Sequence, residues 1–366
     1  MVALAGACTL GLLVAAGPLE GSGMAPEGTQ AADAQPAMEP STSCPQQFGS
    51  FGVGHWPPAC WRPYGPSSPF NSKLPPSPVL TRESGSILSY MKGSGWTFTD
   101  DEEGRFVLPG EGSRPVYWSQ RSDPVVRVVC RGDFSCRRGL RLRIPAAAEP
   151  QGESDGHMTV VDQSGGREYD FWRAGTPRDG TMTAEASSDI PIGENSGLGL
   201  HGNGEAASLG LLGGLIRAPE LAAGRIEHAL VAAVPCVQWH DVWPSPRHGT
   251  GDAVCSRGGR SGPHLGSLLQ LQMSDAEIAA SGAPAWQQAI MAAMAHYGIY
   301  VVDTNGAGNS AINLIAEDDQ SFTSFGFPGQ LSGFLQSLGS VGKLVGVPLS
   351  VARLRVVAPC VDQGRC

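Results

Sequence analysis

From about residue 105 the chain repeats one pattern. Short runs rich in β-branched and aromatic side chains alternate with clusters of Gly, Pro, Asp and Ser. "RFVL" (105–108), "PVYW" (115–118), "PVVRVVC" (124–130) and "LRLRIP" (140–145) come first. "HMTVVD" (157–162), "REYDFWRA" (167–174), "GSLLQLQM" (266–273), "GIYVVDTNG" (298–306) and "LSVARLRVVAP" (349–359) follow. "RIEHALVAAVPCVQWHDVW" (225–243) reads as one long strand or two. Runs of this length bounded by turn residues are strands, and many at regular spacing predict a sandwich or barrel. The excess of Gly (50) and Pro (29), with only 16% of residues charged, fits a turn-rich β-protein better than a helical bundle. The expected fold is mainly β, a jelly-roll or concanavalin-like β-sandwich with one or two packed helices.

The 366 residues divide by composition. Residues 1–17 form an apolar run ending in small residues, a signal-peptide pattern that predicts secretion. Residues 18–45 have few large apolar side chains and read as a disordered linker. Residues 46–366 read as a single secreted domain with its core at about 105–359, and the Pro- and aromatic-rich stretch 46–80 is expected to wrap a surface in extended form. Without Cys8, eight cysteines remain in four sequence-neighbour pairs: 44–60, 130–136, 236–255 and 360–366. Such pairs predict disulfides and an oxidising compartment. Zinc knuckles would need C-x-x-C spacing, which the chain lacks. The net charge of −9 excludes nucleic acid as a partner, and no later run is long and apolar enough to span a membrane.

Two segments read as helical besides "SILSYMKG" (86–93). "EAASLGLLGGLI" (205–216) is apolar and Gly-rich, hence ambiguous. In "SDAEIAASGAPAWQQAIMAAMAHYG", Ser274 and Glu277 make a capping box and Pro284 suits the first turn of a second helix. Trp286, Ile290, Ala293 and Tyr297 share one face of that helix, and Gly298 sits where a C′ residue belongs.

The chemistry concentrates in residues 154–174. With Gly165-Gly166 at a hairpin turn, Asp162 would pair with Glu168 and Val160 with Asp170. That register puts Asp162, Glu168 and Asp170 on one face. Neighbouring carboxylates raise one another's pKa, as an acid–base pair requires, and glycosidases use such pairs. The same three charges would also suit a solvated sheet face. His157, His228 and His248 come from three segments and could ligate a metal or supply a base, with Arg247 neutralising a sugar acid. Tyr169, Trp172 and Trp243, like Trp118 and Trp239, offer flat faces for sugar rings. Asp189 and Asn195 lie in "SSDIPIGENSGLGLHGNGE" (187–205), read as a long loop over the sheet. There is no G-x-S-x-G elbow and no phosphate cradle.

The run from residue 115 to 306 resembles a broad group of secreted bacterial proteins carried as hypothetical. The resemblance rests on Asp155 and His157, Tyr169 and Asp170, Ile226 to Leu230, Arg247 and His248, and Asp303. It implies no activity, but it ranks Asp170 above Glu168.

These readings converge on a secreted, monomeric, polysaccharide-active enzyme, a glycoside hydrolase. Asp162, Asp170, Glu168 and His157 are its catalytic candidates. His228, Arg247, His248, Tyr169, Trp172 and Trp243 are its substrate-binding candidates. No cofactor or metal is expected. The alternatives are a polysaccharide lyase with His228 or Tyr169 as base and Arg247 as neutraliser, and a non-catalytic glycan-binding or wall-associated protein.

Overall fold

The computed structural model describes residues 48–52, 55–98, 105–107, 113–132, 135–152, 154–193, 197, 204–238, 254–255, 261–305, 310–324, 343–345 and 349–359. The chain divides into two compact units, Met1–Pro40 and Ser41–Cys366, and everything described belongs to the second. The expected signal and linker segments therefore lie outside the described residues.

The elements follow in chain order. They are α1 (Ser84–Gly93), β1 (Arg105–Val107), β2 (Val116–Ser119), β3 (Val125–Cys130), β4 (Arg141–Arg143), β5 (Met158–Asp162) and β6 (Arg167–Trp172). Then come β7 (Thr181–Ala184), β8 (Ala186–Pro191), α2 (Ala218–Ala222), β9 (Leu230–Val234), β10 (Leu268–Leu271), α3 (Asp275–Ala279) and α4 (Ala285–His296). The last are β11 (Ile299–Thr304), β12 (Asn313–Leu314), α5 (Asp319–Ser324), β13 (Lys343–Val345) and β14 (Leu354–Val357). The molecule is mainly strands with few helices. The larger sheets run β12-β9-β11-β10-β14 and β2-β5-β6-β8, beside a three-stranded β4-β3-β7 and a β1-β13 pair. These sheets are mixed: β2/β5, β3/β7 and β9/β11 pair in parallel. Among the described residues no helix is long and apolar enough to cross a membrane.

Several elements form where the sequence predicts them. Ser274 caps α3 by accepting from Glu277 N–H, while the Glu277 carboxylate returns to Ser274 N–H. Trp286, Ile290, Ala293 and Tyr297 are all buried, and α4 packs against β10 and α2. Gly298 follows α4 at φ +90°, as the C′ position requires. Pro284 is the N-cap of α4, one position earlier than expected. Disulfides join Cys130 to Cys136 and Cys236 to Cys255. Cys60 is also disulfide-bonded, while its expected partner Cys44 and the pair 360–366 lie outside the described residues.

Three expectations change. The 46–80 segment does more than wrap a surface: Phe51, Trp61, Tyr64 and Phe70 are core residues. Phe51 and Trp61 meet Trp118 edge-on at 5.0 and 5.2 Å between ring centroids, so Trp118 is buried core and not a sugar platform. Each such aromatic contributes about 1.5–3 kcal/mol by leaving water, and each pair ~1 kcal/mol beyond that. The stretch 187–205 begins inside β8, which is buried throughout. Finally, 205–216 is a ribbon of turns and not a helix. Its glycines let it thread between the large sheets: Ala207 N–H donates to Val302 O, Leu212 N–H to Glu168, and Ile216 N–H to Ile315 O. Tertiary bonds satisfy this backbone where helical bonds otherwise would.

Candidate active site

The hairpin of β5 and β6 closes one residue tighter than expected. Asp162 pairs with Arg167, Val161 with Glu168, and Thr159 with Asp170. The cause is the turn. Asp162 Oδ1 accepts from Ser164 N–H and Gly165 N–H, both at 3.0 Å, and so closes the loop itself. A one-residue shift of register moves a side chain to the opposite face. Asp162 therefore lies across the sheet from Glu168 and Asp170, and the expected triple of carboxylates does not exist.

Glu168 and Asp170 do sit together, but in the interior, at 0% and 1% exposure, and not on a solvated face. Glu168 accepts from Tyr64 Oη at 2.6 Å and Leu212 N–H at 2.9 Å. Asp170 takes a bond from Thr159 Oγ1 at 2.6 Å and a weak one from Ser188 Oγ at 3.4 Å. Burial pushes Glu168 up to about 7, and burial with the charge of Glu168 pushes Asp170 well above the carboxylate range. The pair shares its proton burden inside a sealed, hydrogen-bonded space. Tyr169 points to the opposite face of β6, where Arg137 and Arg167 ion-pair with Asp189.

A second cluster lies next to this pair and opens outward. His157 stands just before β5, positioned by Gly156, whose φ of +48° and close approach to the Ala174 backbone disfavour a side chain. Glu205 begins the ribbon, and Gly204 before it packs so tightly on Asp170 that a Cβ would overlap the Asp170 carbonyl oxygen. His157 Nδ1 approaches Glu205 Oε1 at 3.0 Å, and Arg114 Nε donates to the same oxygen at 3.1 Å. Asp303 comes from β11, where the register with β9 shifts between Val301 and Asp303. A bulge re-aims the side chains that follow it, and the carbonyl of Val302 in this bulge docks the ribbon. One ligand atom each from His157, Glu205 and Asp303 fall within 4.8 Å of one another.

The electrostatics separate the three groups. Burial pushes Glu205 up, but Arg114 and His157 overcome it and hold Glu205 at about 2. His157 is lowered by burial and then by Arg114, against the pull of Glu205. Burial and the Glu205 charge push Asp303 up to about 7. His157 and Glu205 are 2% and 1% exposed, Asp303 is partly exposed, and Asp155 beside them is exposed. Trp172 Nε1 donates to Asp155 Oδ1 at 3.3 Å, and the Arg173 guanidinium lies 4.3 Å over the Trp172 ring.

His228 belongs elsewhere. Its Nδ1 faces Ala229 O at 2.8 Å and its Nε2 faces Glu220 Oε1 at 3.0 Å. Arg217 and Arg62 surround Glu220, so His228 is a core residue and not a substrate contact. His157 and His228 therefore do not form a metal triad. Trp243, Arg247 and His248, with Trp239 and Asn195, lie outside the described residues.

Sequence reasoning missed Glu205, Arg114 and Tyr64. The one signal for Glu205 was an acidic residue opening an otherwise apolar glycine-rich run. Asp303 was ranked only by resemblance. Comparison with known proteins returns no match: no family model, no curated protein and no solved structure.

Proposed function

We propose that the protein is a secreted polysaccharide-active enzyme, a glycoside hydrolase, whose working centre is His157, Glu205 and Asp303 in place of the hairpin pair. One observation carries this reading: acid–base groups that are buried yet incompletely bonded reach solvent there through Asp303 and Asp155. An imidazole with a buried carboxylate oxygen 3.0 Å from its Nδ1, and a second carboxyl in reach, has the composition to activate water and protonate a leaving oxygen. Glu168 and Asp170 are sealed and fully bonded, which suits holding the ribbon in place. Trp172, bonded to Asp155, offers an aromatic surface at the rim for a sugar ring. Disulfides are consistent with export. The finer architecture, two larger sheets facing each other as in jelly-roll or concanavalin-like sandwiches, belongs to this proposal, as does a monomeric state.

The test is incubation of the oxidised protein with neutral and uronate polysaccharides, following reducing ends and near-ultraviolet absorbance together. Reducing ends without unsaturated products are expected, with H157Q and D303N losing at least ~100-fold and Asp170→Asn staying within about threefold. Full turnover in H157Q and D303N would sink the assignment. Unsaturated products would convert it to a lyase with His157 as base, and binding without turnover would convert it to a glycan-binding protein.

A further inference from the structure

The hydrogen-bond accounting at His157 does not close. Both ring nitrogens and Glu205 Oε2 are buried with no hydrogen-bond partner among the described residues. Nδ1 lies 3.0 Å from Glu205 Oε1, yet the approach is off the line that a hydrogen bond needs. Buried polar atoms cost about 1–3 kcal/mol each when left unbonded. Nδ1 is the nitrogen that faces Glu205, and on that side of the ring the cluster is short of an occupant.

We propose that His157, Glu205 and Asp303 hold a divalent metal ion of the Mn²⁺ or Zn²⁺ type. The spacing fits. Two ligand atoms bonded at about 2.1 Å to one ion and at the right angles of an octahedral site, the geometry of Mn²⁺, stand roughly 3.0 Å apart, without a proton between them. That matches the Nδ1 to Oε1 separation and explains its poor hydrogen-bond line. The donor set is one imidazole and two carboxylates, which suits Mn²⁺, Zn²⁺ or Fe²⁺ better than the all-oxygen preference of Ca²⁺. Arg114 holds Glu205 by donating through Nε to that same oxygen, Oε1, as outer partners orient metal-binding carboxylates. Three protein ligands leave coordination positions for water or substrate, and Asp303 is the partly exposed member through which they open. Cysteine does not compete: Cys130, Cys136, Cys236 and Cys255 are all in disulfides.

The inference rests on reading this cluster as the working centre. It changes what activates water there, from a free imidazole to a Lewis acid. A buried water would be the rival occupant of the same space.

The experiment titrates the full, oxidised, chelator-stripped chain with Mn²⁺. Loss of the free-ion paramagnetic resonance signal reports binding, and Zn²⁺ serves as competitor. One ion per chain is expected, displaced by Zn²⁺ and accompanied by a rise in melting temperature. H157A and D303N should each weaken binding at least tenfold. D303N alters the partly exposed ligand and keeps the test valid should H157A misfold. Absence of binding, or undiminished binding in a folded D303N, would overturn the proposal and leave water as the occupant. Polysaccharide turnover without any metal binding would leave the hydrolase reading standing and remove only the ion. Metal binding without turnover on any polysaccharide would do the reverse.

Discussion

Among the described residues, two buried histidine–glutamate couples, His228–Glu220 and His157–Glu205, have been finished differently. At His228 every polar atom has a role. One ring nitrogen meets a backbone carbonyl, the other meets Glu220, and Arg217 and Arg62 complete the carboxylate. At His157 the carboxylate is equally well held, with Glu205 and Glu220 both kept at about 2 by neighbouring cations despite burial. The imidazole and the second oxygen of Glu205, however, are left without bonds. A completed couple fixes the fold. An incomplete one has been kept at a cost in stability, and such costs persist where a ligand or a reaction makes use of them.

The largest test of this contrast exchanges histidine for glutamine at His228. The change removes two buried hydrogen bonds, one to Ala229 O and one to Glu220, while Arg217 and Arg62 still hold the carboxylate, and should cost ~3 kcal/mol. Melting should fall by about 4 °C, while whatever protein remains folded keeps its turnover. H157Q should do the opposite, melting within ~2 °C of the parent. If H228Q melts normally and H157Q does not, the roles are reversed.

A smaller effect concerns pH. Burial raises Glu168 to about 7 and Glu317 to about 8. Folded carboxyls with raised pKa values bind protons that the unfolded chain has released, so their stabilisation is full below the unfolded value near 4.5 and is lost as pH climbs through 7–8. Glu220, lowered to about 2, acts oppositely: its contribution is present above 4.5 and is lost as pH falls toward 2. Thermal stability should therefore peak near pH ~5 and decline toward pH ~8. In E317Q the upper decline should be shallower. An unchanged slope in that variant would remove Glu317 from the account.

The smallest effect is at the turn. Asp162→Ala removes three bonds to Ser164 and Gly165 and should cost ~1 kcal/mol, about 1.5 °C, with turnover intact. Loss of turnover would return Asp162 to the catalytic group.

Local rules read much of this fold. The strands around Val128, Val160 and Val356, the cap at Ser274 and the disulfides 130–136 and 236–255 all depend on residues near in sequence, and all were legible. The hairpin register was not. It turned on whether a side chain or a glycine pair closes the loop, a difference of one residue that decides which face Asp162 occupies. The ribbon at 205–216 was illegible for a deeper reason. Its apolar, glycine-rich composition left its local structure ambiguous, and its backbone bonds go to strands distant in sequence. Glu205 becomes a partner of His157 only through that threading. The same holds for Tyr64, delivered to Glu168 from a segment whose prolines suggested a surface wrap.

The Cys236–Cys255 bridge has a consequence for change over time. β9 ends at Val234, beside Thr304, and Asn305 N–H donates to Val234 O, so the bridge begins at the sheet end that presents Asp303. Val237 and Val254 pair just inside it, and the bridged Cα atoms stand 5.1 Å apart. The two ends of the intervening stretch are thereby fixed independently of its contents. Closure entropy rises only slowly with length, so insertions there cost the fold little. That stretch carries Trp243, Arg247 and His248. The bridge lets selection or an engineer change the length and content of that stretch without renegotiating the scaffold that carries it.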